Sequence, residues 1–181
     1  METYISVDIE ADGPIPGKNS MLSLGAVAFD PTGQELAAFS ENLECLVGAK
    51  KDPKTSLWWS KFPDALAAAR ANARPPVDVM IDFEAWVSRF ECPVFVAYPA
   101  GFDFTFVHWY FHYFLDHDPF GFSALDLKSY AMALMGTDFR KTTKKRMPKE
   151  WTRGPKHSHV AVEDAREQGR LFFRMKEEAF Q

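Results

Sequence analysis

Thr3-Tyr4-Ile5-Ser6-Val7-Asp8-Ile9-Glu10 decides the fold and carries the first chemistry of this 181-residue chain. Apolar residues flank each acid, as in a half-polar strand. In an extended strand, alternate side chains share a face, so Asp8 and Glu10 point the same way roughly 6 to 7 Å apart along the backbone. Two carboxylates on one face of a buried strand need a counter-charge. A hard divalent cation supplies it, because such ions are held by one or two carboxylates together with waters and substrate phosphates. Phosphoester chemistry is therefore the first expectation.

Working outward, Met21 to Asp30 and Glu35 to Leu43 read as two further strands, joined by the turn Pro31-Thr32-Gly33-Gln34 into an antiparallel meander. From Pro53 to Phe90 the pattern is helical, with an alanine-rich stretch from Asp64 to Ala73. After Pro75-Pro76, apolar residues recur at helical spacing (Val77, Met80, Ile81, Phe83, Trp86, Val87, Phe90). Pro93 to Tyr98 is a short apolar run suited to a buried parallel strand. A helix from Phe102 to Leu115 follows, then a fifth short strand from Ser123 to Leu127 that feeds a helix through Met135. A last helical face is marked by Ala161, Ala165, Gln168, Phe172 and Met175. The order β-β-β-α-β-α-β-α predicts an α/β fold of the ribonuclease H-like kind, a mixed central sheet with helices on both faces, in one domain.

Two later segments repeat the offer of acids: Ala97-Tyr98-Pro99-Ala100-Gly101-Phe102-Asp103, and His159-Val160-Ala161-Val162-Glu163-Asp164. On one helix His159 and Asp164 would stand roughly 140° apart. Asp164 is thus assigned to the helix and His159 to the loop or first turn that enters it, free to swing over the site as a general base does. Taken alone, His159 reads as a cap or a solvated loop residue and Asp103 as a helix N-cap. The company of four acids favours function. His157 lies near but at the wrong spacing.

This ordered set resembles the DEDDh branch of the 3′-5′ exonuclease superfamily, which includes ribonuclease T, oligoribonuclease and proofreading subunits of replicative polymerases. Asp8 and Glu10 match the first motif, Asp103 the second, and His159 with Asp164 the third. The related tyrosine branch would place Tyr where Val160 stands. Tyr98-Pro99-Ala100 departs from the His-Asn usual in ribonuclease T. The resemblance implies two divalent ions, Mg2+ or Mn2+, about 3.5 to 4 Å apart and held by Asp8, Glu10, Asp103 and Asp164, with His159 taking the proton of the attacking water. The product would be a nucleoside 5′-monophosphate cut from the 3′ end of a single-stranded nucleic acid, RNA rather than DNA. It also implies a homodimer. The rival readings are a DNA exonuclease, an inactive nucleic-acid-binding module on the same fold, and a small-molecule phosphodiesterase.

Composition agrees with a well-filled core, at 46% hydrophobic and 15% aromatic. A net charge of −4 and a pI near 5.7 exclude a protein that coats nucleic acid by bulk charge, but not a nuclease, whose acids bound ions neutralise. Cys45 and Cys92 lack the spacing of a zinc site and read as reduced structural residues. With no apolar run near the ~20 residues of a membrane span, no membrane partner is expected and the chain is expected to be cytoplasmic. Thr137 to His157 carries eight Lys and Arg against two acids. It is read as a structureless basic arm that guides the substrate backbone through Lys144, Lys145 and Arg146. Trp58, Trp59, Tyr98, Phe102 and Trp109 are all able to stack on a base, and Phe102, beside Asp103, is selected. His108 and His112 have a zinc-compatible i, i+4 spacing but are read as packing or partly exposed histidines.

Overall fold

A computed structural model describes residues 1–154 and 158–179. The paired run at the amino terminus becomes β1 (Thr3–Ala11), and the meander continues through β2 (Met21–Phe29) and β3 (Glu35–Asn42). β4 (Pro93–Ala97) and β5 (Leu125–Asp126) complete a five-stranded sheet in the order β3-β2-β1-β4-β5. β2 runs antiparallel to β1 and β3, while β4 and β5 run parallel to β1 and β4 respectively. The expected mixed sheet is present. Its edge strand β3 alternates between exposed and half-buried residues, whereas β2, central and covered on both faces, is buried throughout.

The stretch from Pro53 to Phe90 divides into α1 (Pro53–Trp59), α2 (Pro63–Ala68) and α3 (Pro76–Val87). Proline sets each start, since its missing N–H is no loss in a first helical turn. α2 stops at Ala68, short of the expected Ala73. α4 (Ala100–Leu115) begins two residues before Phe102, with Pro99 as its N-cap, so Asp103 lies in the first turn and not at the cap. α5 (Leu127–Met135) is capped by Asp126, which accepts from Ser129 N, and ends on Gly136 in the left-handed region at φ 55°. α6 (Ala161–Ala179) closes the fold.

Two cores result. Ile5, Val7 and Ile9 of β1 face one layer, packed on Phe83 of α3 and on Phe106, Tyr110 and Phe111 of α4. Val27, Phe29 and Val96 face the other, against Leu127 and Ala131 of α5 and Ala165, Phe172 and Met175 of α6. Cys45 and Cys92, read from the sequence as reduced structural residues, are both free and exposed.

The basic stretch is not a structureless arm. Over 137–154 it makes two 3-10 turns, Phe139–Lys141 and Lys144–Arg146, and sinks Thr142, Met147 and Trp151 into the protein. The Thr142 carbonyl accepts from Tyr98 Oη at 2.5 Å and from Lys128 Nζ at 2.9 Å, and Trp151 Nε1 donates to Glu178 at 2.5 Å. His157 and Lys156, at its end, lie outside the described residues.

Candidate active site

Strand alternation turns Asp8 and Glu10 away from the α3/α4 core and toward α6, where they are 8% and 7% exposed. In the ladder Asp8 stands opposite Gly25 of β2. A Cβ on Gly25 would lie 2.2 Å from the backbone of Ala161 and Val162, so only a bare backbone there lets the first turn of α6 rest on the sheet. Gly169 serves the same docking farther along, beside the Phe29 ring. This close approach brings Asp164 and Gln168, one helical turn apart on one face, down to the acids of β1. Gln168 Nε2 donates to Asp8 Oδ1 at 2.7 Å.

Asp103 arrives from the other layer. β4 pairs with β1 only as far as Ser6, and beyond that point the Ile9 N–H is taken up by Asp103 Oδ1 at 3.0 Å. Asp103 and Asp164 are buried, at 3% and 1% exposed. The Asp164 carboxylate accepts from Ser158 N and His159 N, both at 2.8 Å, and from Ser158 Oγ at 3.2 Å. It thereby fixes the loop that enters α6.

His159 does lie in that loop, but it is not free to swing. Its backbone is held in the left-handed region at φ 57°, and its ring sits in an aromatic cradle, 4.9 Å from Trp58 and 4.5 Å from Phe62 between ring centres. Its Nδ1 faces Glu10 Oε1 at 3.9 Å. Donor atoms of Glu10, His159 and Asp164 all fall within 4.8 Å of one another.

The electrostatics follow from crowding. Burial, and then the charges of Asp103, Glu10 and Asp164, push the Asp8 carboxyl well above its ordinary range, opposed by Lys144. Glu10 is pushed up to about 8 by burial, with Asp164 and Asp103 adding to it. Hard oxygen donors that repel one another in a buried corner are the chemistry a divalent cation satisfies, and this donor set fits such an ion.

Of the residues expected to meet substrate, Phe102 is partly exposed and shares a cleft of about 210 Å3 with Glu10, Ala11, Gly13, Pro14, Thr55 and Trp58. Lys144 is half-buried, ion-paired with Glu167 of α6, with its Nζ 5.6 Å from the Tyr98 ring centre. Lys145 and Arg146 are exposed and have none of these ties. A more voluminous cavity, about 690 Å3, lies elsewhere, between Trp151, Arg153 and Arg174, and includes none of the four acids.

Sequence reasoning did not assign Gln168, Ser158 or Phe62 to the site, and it set Trp58 aside. For Gln168 the signal was available: it lies four residues after Asp164, on the same face of one helix. Trp58 and Phe62 reach His159 across a hundred residues of chain, which no local pattern reveals.

The family model described as the 3′-5′ exoribonuclease Rv2179c-like domain matches residues 3–175. The 3′-5′ DNA exonuclease Cap18 of Escherichia coli is 36% identical over 176 residues, covering 94% of this chain and 90% of Cap18. Among solved structures, a zinc-bound E. coli exonuclease I complex with single-stranded DNA superposes with a TM-score of 0.71 at 16% identity, covering 98% of this chain. This chain spans 41% of exonuclease I. The nuclease domain of 3′hExo, a DEDDh family member bound to rAMP, gives a TM-score of 0.72 at 10% identity, over 97% of this chain and 92% of that domain.

Proposed function

The chain belongs to the Rv2179c-like family of 3′-5′ exoribonuclease domains, within the DEDDh exonuclease superfamily, and on that premise we propose that it cuts nucleoside 5′-monophosphates from the 3′ end of single-stranded RNA. The observation that carries this reading is the meeting of Asp8, Glu10, Asp103 and Asp164, drawn from three separated segments, with His159 Nδ1 at 3.9 Å from Glu10. The description of the family as exoribonucleases supports RNA. A second reading, DNA, is favoured by the 36% identity to a DNA exonuclease.

Asp8, Glu10, Asp103 and Asp164 would hold the divalent cations, Mg2+ or Mn2+. We propose two ions, because four carboxylates exceed the one or two that a single such ion takes beside its waters. When bound, they supply neutralisation of the acids and polarisation of the phosphoryl oxygens. His159 takes a proton from the attacking water as its oxygen bonds to phosphorus. The P–O3′ bond to the penultimate nucleotide breaks, and the leaving oxygen is protonated from solvent. Asp164, through the Ser158 and His159 N–H groups, keeps the imidazole at the cluster. Gln168 fixes the direction of Asp8. Trp58 and Phe102, on the walls of the cleft that reaches Glu10, present ring faces and edges for the terminal base. Lys144, paired with Glu167 beside the site, faces the incoming phosphates.

The test is a time course with 5′-labelled single-stranded RNA and DNA of one sequence, in Mg2+ and in chelator. A ladder that shortens from the 3′ end faster on RNA, and stops in chelator, is expected. Faster shortening of DNA would replace the first reading with the second. Intact substrates of both kinds in Mg2+ would overturn both.

A further inference from the structure

Midway along α4 stands a cluster that the nuclease chemistry does not use. His108 and His112, i and i+4 on the helix, lie with ring centres 4.5 Å apart, and His108 Nδ1 meets Asp118 Oδ2 at 2.7 Å. The Asp118 side chain is 1% exposed, and its other oxygen accepts from Phe120 N at 2.8 Å, so the carboxylate is fixed on both sides. His108 is about 7 to 8 Å along the helix from Asp103 and roughly 140° around it, on a different face from the acid.

A buried carboxylate on Nδ1 holds neutral His108 as the Nδ1–H tautomer and leaves the Nε2 lone pair for another partner. The His108 side chain is 37% exposed, so solvent reaches the imidazole. His112 is exposed, and either of its ring nitrogens can be turned toward a common ion without disturbing the core. With metal–nitrogen bonds of about 2.1 Å, two imidazoles that meet at one tetrahedral ion have centres about 5 Å apart. The rings stand in edge contact at 4.5 Å, so a small rotation of the exposed His112 opens the pair to that separation.

We infer that His108 and His112 chelate a transition-metal ion, Zn2+ in the first place, at a site separate from the carboxylate cluster, with Asp118 orienting His108. Imidazole pairs select such ions over Mg2+, which the four carboxylates prefer. Chelation would brace the last turns of α4 and, through Asp118, the loop that leads toward β5.

The experiment is a Zn2+ titration of the full chain in millimolar Mg2+, followed through the ring signals of each histidine by NMR. The His108 and His112 signals should move together on one saturable isotherm. His112→Ala, an exposed change that leaves the core intact, should weaken the response of His108 at least tenfold. Asp118→Asn keeps an oxygen for Phe120 N but loses the acceptor for His108 Nδ1, and should weaken Zn2+ binding by about 10- to 100-fold. Movement of His159 alone, or a His108 response unchanged by His112→Ala, would overturn the assignment.

Discussion

Removing metal should make this protein less stable as pH rises, and Glu10 sets the size of the effect. Its folded-state pKa is raised from an ordinary 4.5 to about 8. Below about pH 4.5 the carboxyl is protonated in both folded and unfolded chains, and it adds no penalty. Between there and about pH 8 the unfolded chain releases the proton while the folded chain keeps it, so stability declines as pH rises, and above that range the loss is complete. At about 1.4 kcal/mol for each pKa unit, the shift corresponds to a loss of up to about 5 kcal/mol. For a chain of this size that is a fall in Tm of roughly 10 to 20 °C. Asp8, raised in the same direction, steepens the decline. The assay is thermal unfolding in chelator from pH 5 to 8.5, for the wild type and for Glu10→Gln. The variant should have the flatter profile, and Mg2+ at pH 8 should restore the wild type. A wild-type Tm that is level or rises with pH in chelator, or an identical slope in Glu10→Gln, would refute the reasoning.

Other substitutions separate the parts of the site. His159→Asn, which tolerates the left-handed backbone, should lower kcat by about 10² to 10⁴ with little change in KM, checked by steady-state kinetics on a labelled oligonucleotide. Gly25→Ala should lift the first turn of α6 from the sheet, with a stability loss of about 1 to 3 kcal/mol in denaturant unfolding and a larger proportional loss of turnover. Lys144→Ala should raise KM and reduce its logarithmic salt slope by about 0.7, the share of one single-strand phosphate contact, while Lys145→Ala should do less.

What the sequence disclosed and what it hid have physical reasons. Asp8 and Glu10 were legible because strand alternation is a strict period of two, and the pairing of β1 with β2 carries it through. The spacing of five between His159 and Asp164 could not fit one helical face, and the chain does begin its helix between them, at Ala161. The segment from Thr137 misled because eight cations mask three anchors. Thr142, Met147 and Trp151 show no period, yet those three buried residues, two hydrogen bonds to one carbonyl and the ties of Trp151 to Glu178 and of Lys144 to Glu167 dock it. Asp103 looked like a cap because that reading starts the helix at Phe104, four residues after its true start at Ala100. In its true position it completes the ladder of β1 instead. The cradle around His159 was beyond reach, since Trp58 and Phe62 meet the ring only through tertiary packing.

The central claim is that Asp8, Glu10, Asp103 and Asp164 together hold the divalent ions of the reaction. Its most direct test is the uptake of Mn2+, counted by the loss of the free-ion paramagnetic resonance signal in the presence of a nucleoside 5′-monophosphate, for the wild type and Asp8→Asn. Two ions bound per wild-type chain, with uptake lost in the variant, is the predicted result; no uptake by the wild type, or equal uptake by both proteins, would contradict it.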